Sequence, residues 1–243
     1  MSLRARAVTL VVAFLAVVAG GIFVAFEFIG AQPSVENYTP LAKDGQVNVT
    51  LMTTAQTTVT NKPDWVSYFI KNPSTGNFDH TTYFAVPANT RVNVTILGYD
   101  GCTPLRNPLW GKVAGTLGGV ESVAFNNGKT TAPAQALTTF DSWANCSVQH
   151  TFAIPGLGIN VPVASPTTLD ENNALCGTSP CVADTDDQAK APHAVVTFSF
   201  MTPKTAGTYR WQCFVPCGLG YVDGNGGPMA TPGYMMGQME VQS

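Results

Sequence analysis

The sequence predicts an all-β sandwich behind one apolar N-terminal segment. Short runs in which apolar and polar residues alternate recur from Gln46 to the C-terminus, the period of half-buried strands. No stretch beyond the N-terminal segment sustains a helical period over three turns. The chain of 243 residues is 45% apolar and 11% charged, against roughly 25% charged in ordinary soluble domains, so little of it is expected to be disordered. The remainder of the chain, beyond the N-terminal segment, fits one elaborated β-domain, a single core with insertions.

At the N-terminus, "MSLRARAVTLVVAFLAVVAGGIFVAFEFIGAQPS" places Arg4 and Arg6 before an uncharged run from Ala7 to Phe26. That run matches the roughly 20 residues a bilayer core requires. A cleaved signal peptide has a shorter apolar part, about 7–15 residues, and ends in a small-x-small site; here Ile29 occupies a position that should be small. Residues 1–30 are therefore expected to form a retained membrane anchor. Arginines ahead of the span keep the N-terminus cytoplasmic and send the remainder outward. The predicted location is the cell membrane, single-pass, with the domain extracytoplasmic.

Residues 31–45, "AQPSVENYTPLAKDG", read as a polar, proline-containing tether to a domain over 46–243. "QVNVTLMTTA" alternates Val47, Val49 and Leu51 against polar neighbours. "TTYFAVPANTRVNVTILGYD" holds two such runs about the turn "PANT". "HAVVTFSFM" alternates again, "GTYRWQCFVP" comes after the turn "TPKTAG", and "GQMEVQS" closes the chain. Together these runs give the sandwich. Two long segments do not read as core: a Gly/Pro/Asn/Thr-rich stretch over 101–143 and an acidic one over 165–192. Loops of that length are usually functional or insertional.

Charge and motifs exclude several functions. The net charge is −3 and the basic residues are scattered, so the electrostatic footprint of nucleic-acid binding is missing. No glycine-rich phosphate loop stands between strand and helix, and no Gly-x-Ser-x-Gly elbow occurs. No catalysis is expected from the isolated chain. The acids in "DENN" and "DTDD" read as a solvated loop rather than a Ca²⁺ site.

Six cysteines in an oxidising compartment make disulfides the default. "CGTSPC" (Cys176 to Cys181) reads as a local staple, and Cys102 with Cys146 as a second candidate pair. In "WQCFVPCGLGY", Cys213 and Cys217 admit three readings: a disulfide, two metal thiolates, or packed thiols. Thiolate with imidazole and thioether selects copper, which directs attention to three histidines, His80, His150 and His193.

Two separated segments carry a family resemblance. "VQHTFAIPGLGINVPV" and "VTFSFMTPKTAGTYRWQCFVPCGLGY", followed by "GYMMGQMEV", resemble the copper-binding region of haem-copper oxidase (cytochrome c oxidase) subunit II. The match covers roughly the last hundred residues, interrupted by the acidic insertion. The resemblance implies a cupredoxin-like Greek-key β-sandwich and a place in or beside a respiratory electron-transfer complex. It implies the membrane, oxidase subunit I and an electron-donor protein as partners. It also implies copper, with His150 as imidazole ligand, Cys213 and Cys217 as thiolates, the Val215 carbonyl, and Met236 as thioether. The pattern then breaks: where a second histidine belongs stand Tyr221 or, across the loop insertion, Gly233 beside Tyr234. A delocalised dinuclear copper centre is therefore not expected. His150, Cys213, Cys217 and one of Met229, Met235 or Met236 form a soft set suited to Cu(I). The other reading is a copper-free interaction module, or a Cu(I)-handling protein, that keeps the fold.

Overall fold

The structure is a computed structural model describing residues 3–30, 33–55, 57, 62–101, 105, 107–126, 130–140, 148–165, 193–218 and 225–243. It divides into two compact units, 1–34 and 35–243.

The first unit is one helix, α1 (Leu3–Gly30). Its described side chains include Val8, Leu10, Phe14 and Leu15, each more than half exposed. Among the described residues, however, no helix is long and apolar enough to cross a membrane. The transmembrane span expected from the sequence is thus not shown.

The second unit is the expected sandwich. Its strands are β1 (Val35–Asn37), β2 (Gln46–Thr54), β3 (Ser67–Lys71), β4 (Phe78–Asp79), β5 (Tyr83–Pro87), β6 (Arg91–Gly98) and β7 (Glu121–Asn126). The chain continues through β8 (Gln135–Leu137), β9 (Val148–Ile154), β10 (Ile159–Ala164), β11 (His193–Met201), β12 (Gly207–Gln212) and β13 (Met236–Gln242). One sheet runs β1-β5-β13-β12-β9-β10 and the other β4-β3-β2-β6-β11-β7-β8. The sheets are mixed, with β2 parallel to β6 and β5 parallel to both β1 and β13.

Alternation explains which face each strand buries. Val47, Val49 and Leu51 of β2, Val92, Val94 and Ile96 of β6, and Val196, Phe198 and Phe200 of β11 all enter one apolar core. Trp211 is buried completely among Tyr68, Phe152 and Phe84, at ring-centroid distances of 5.0, 4.9 and 6.5 Å. Its indole N–H donates to the Thr82 carbonyl at 3.0 Å, so the core's largest side chain leaves no polar atom unpaired.

Two segments read as non-core supply strands. Within 31–45, read as a tether, β1 pairs with β5 and Tyr38 packs into the core. Within 101–143, β7 pairs with β11 and β8 joins β7. Runs of three to six residues, bounded by Gly, Pro and Asn, are too short for alternation to show. Cys102, Cys146, Cys176 and Cys181, with the staple and the second pairing expected of them, lie outside the described residues.

Candidate metal centre

The site forms where β9 lies beside the end of β12, with Gln212 opposite Ala153. β12 ends at Gln212, and Cys213 opens a loop pinned on two sides. The Cys213 backbone N–H donates to the Met235 carbonyl at 2.8 Å. The Phe214 N–H donates to the Thr151 hydroxyl at 2.8 Å, and the Thr151 N–H donates to Cys213 Sγ at 3.4 Å. Phe214 is fixed further by a face-to-face stack on Trp110, centroids 4.0 Å apart and planes within 1°.

The loop gathers soft donors around one point. Cys213 Sγ lies 3.7 Å from Cys217 Sγ, 3.9 Å from His150 Nδ1 and 3.5 Å from the Val215 carbonyl oxygen. Cys217 Sγ lies 3.2 Å from Met229 Sδ. The donor atoms of His150, Cys213 and Cys217 all fall within 4.8 Å of one another. Both cysteines are free thiols, so no disulfide joins them. His150 and Cys213 are buried, and Cys217 is half-buried.

The proton inventory follows from this burial. Burial pushes the Cys213 thiol up, but the Cys217 thiol and the His150 imidazole beside it outweigh that and hold it well below the usual thiol range. Burial and the neighbouring Cys213 sulfur push Cys217 well up. Burial draws His150 down, yet its hydrogen bonds to Asp100 and Cys213 prevail and raise it to about 9. A metal held by all three groups would need each of them in its unprotonated form, so its uptake would release protons.

The structure brings His150, Cys213, Cys217 and the Val215 carbonyl together. The thioether against the thiols is Met229, carried in by the short 3₁₀ turn Gly227–Ala230, where the resemblance implied Met236. Met236 opens β13 opposite Gln212, its carbonyl accepting from the Thr82 hydroxyl at 2.6 Å. Tyr234, beside the place of the missing histidine, commits its hydroxyl to the Pro63 carbonyl at 3.2 Å and its ring to Trp65 and His80. Tyr221 lies outside the described residues. His80 sits between Ser67 and Lys62, and His193 packs against Tyr99, ring centroids 4.6 Å apart. Among the described residues this is the one cluster of His, Cys, Asp or Glu able to hold a metal, and it contains a single imidazole.

Sequence reasoning missed Asp100, whose Oδ2 lies 3.0 Å from His150 Nε2. An Asp-Gly pair after a strand reads as a turn, and nothing in its spacing ties it to a histidine fifty positions on. Three sulfurs, one imidazole and one carbonyl at a largely buried site fit copper, and Cu(I) above all.

No protein-family model matches the chain, and no curated protein matches it. Among solved structures it is similar to the copper protein rusticyanin, at 14% identity over 87% of this chain and 86% of that one, with a TM-score of 0.31. It is similar also to rusticyanin from Thiobacillus ferrooxidans, at 13% identity over 87% and 85%, TM-score 0.32. Reduced rusticyanin matches at 14% identity over 85% of each chain, TM-score 0.29. Likeness at this level carries no residue across, and the donor geometry of this chain stands on its own.

Proposed function

We propose that this chain is a copper-binding, cupredoxin-type electron-transfer domain, tethered to the membrane by α1, facing outward and working beside a respiratory oxidase. The observation that carries the reading is the gathering of the Cys213, Cys217 and His150 donor atoms within 4.8 Å of one another, with Met229 Sδ 3.2 Å from Cys217 Sγ. Copper bound there supplies one-electron transfer. The residues of the chain do the remainder: the thiols and thioether favour the reduced ion, and the loop held to Thr151 and Met235 positions the sulfurs. A second imidazole is missing, so the site is proposed to hold one copper rather than a delocalised pair. The oxidase setting rests on the motif resemblance. It would be supported by co-purification with a twelve-span oxidase subunit.

The test is metal analysis of the purified full-length chain after anaerobic loading with Cu(I), combined with thiol counting. One copper per chain and two protected thiols are expected. Two coppers with a mixed-valence electron-paramagnetic spectrum would overturn the single-copper reading. No retained copper, with Cys213 and Cys217 fully reactive, would leave the copper-free interaction module standing instead.

A further inference from the structure

We propose that Asp100 is a positioning residue for the metal centre, holding the His150 ring with Nδ1 turned to the sulfurs; this rests on the copper reading above. A metal takes the unprotonated nitrogen of a neutral imidazole. Which nitrogen that is depends on the hydrogen bond the other one makes. Here His150 Nε2 lies 3.0 Å from Asp100 Oδ2, while Nδ1 lies 3.9 Å from Cys213 Sγ. A carboxylate only accepts, so the proton belongs on Nε2 and the lone pair on Nδ1. His150 is fully buried, which leaves the Asp100 contact as its route to that tautomer without help from solvent.

The carboxylate is itself held in place. Its other oxygen, Oδ1, accepts from the Gly101 N–H at 2.7 Å, and the Asp100 carbonyl accepts from the Ser165 hydroxyl at 3.3 Å. The Asp100 N–H donates to Gln149 Oε1 at 3.1 Å, and the same Oε1 accepts from the Thr53 hydroxyl at 2.7 Å. Gln149 Nε2 donates to the Ala164 carbonyl at 2.7 Å. Thr53, Gln149 and Ser165 are all buried. The buttress therefore reaches through β2, β9 and the end of β10, and each of its polar atoms has a partner. Gly98 leaves room for it, since a Cβ there would fall 2.2 Å from Gln149 Nε2. Such a network is more than a buried histidine needs for satisfaction, for which one backbone carbonyl would suffice. It fixes both the ring's rotation and its tautomer.

The experiment compares the full-length chain with Asp100→Ala and Asp100→Asn, each loaded anaerobically with Cu(I). Affinity is measured by competition with a chromophoric Cu(I) chelator, and the His150 ring nitrogens by ¹⁵N correlation spectra of the diamagnetic Cu(I) form. Asp100→Ala is expected to bind roughly 10–100-fold more weakly and to lose the slowly exchanging Nε2–H signal. Asp100→Asn keeps an acceptor for Nε2–H, so it should recover part of the affinity and retain that signal. Thermal melts show whether each variant folds. Should Asp100→Ala fail to fold, Asp100→Asn decides: weaker binding by a folded chain supports the assignment, and wild-type affinity overturns it. Variants with wild-type affinity and an unchanged His150 spectrum would overturn the role of Asp100 alone. A wild-type chain that takes up no copper would overturn this inference together with the copper reading.

Discussion

At the scale of single residues, Met229 and Met236 separate what the structure shows from what motif alignment implies. Met229→Leu is expected to weaken Cu(I) binding about tenfold, equivalent to roughly 1.4 kcal/mol, while Met236→Leu leaves it unchanged; the same chelator competition measures both. The difference between the two has a physical cause. The thiol loop and the closing strand are both legible, but the chain between them folds back through the turn Gly227–Ala230, and counting along a sequence does not reveal a fold-back. Cys213, Cys217 and His150, which the structure brings together, are legible as a candidate set because soft-metal chemistry points to Cys and His in a fixed motif; a carboxylate such as Asp100, reached across a sheet, leaves no such mark. His80 provides a pH test away from the centre. Burial, aided by the Lys62 charge, lowers it from 6.5 to about 4. The unfolded chain then takes a proton that the folded one refuses, so stability present above pH 6.5 is lost as pH falls toward 4. His80→Phe, packed against Phe69 and Tyr234, should flatten that part of the curve of melting temperature against pH. An unaltered slope would show that His80 is not its source.

At the scale of elements, strands that alternate strictly are readable to within a residue, as "HAVVTFSFM" forms β11 (His193–Met201). β9 and β10 are buried on both faces along their whole length, and a doubly buried strand has no polar side to alternate. β7 begins with a misfit: Glu121 is buried, both carboxylate oxygens lack a hydrogen-bond partner among the described residues, and burial pushes it up to about 9. A carboxyl raised in the folded state stabilises fully only below its unfolded value near 4.5 and loses that contribution as pH rises toward 9. Glu121→Gln removes the ionisation, and is expected to stabilise the protein at pH 8 by on the order of 2 kcal/mol with little effect at about pH 5. Urea unfolding at the two pH values checks this, and equal gains at both would refute it. β13 has the opposite demand. A Cβ at Gly237 would lie 1.9 Å from the Thr82 carbonyl oxygen, the acceptor for Trp211 and for the Gln238 N–H. Gly237→Ala should therefore cost about 1–3 kcal/mol, the usual range for overpacking, and loosen the thiol loop held by Met235.

At the scale of the whole molecule, the helical unit and the sandwich carry different tasks in the proposed function. With α1 as the tether, the full chain should stay with membranes through an alkaline carbonate wash, and a chain beginning at Val35 should not; release of both would remove the anchor from the proposal. The sandwich itself sets a sequence of events. Cys213 and Cys217 are four positions apart, so even an unfolded chain presents the two sulfurs together. His150 is 63 positions from Cys213 and arrives only when β9 docks against β12, one of the long-range pairings that form late in folding. Under the proposed function, a copper ion met before that docking would find sulfur alone, and the closing of the sheet would add nitrogen to its surroundings. The order in which such a centre gained its ligands would then be set by the chain's own folding.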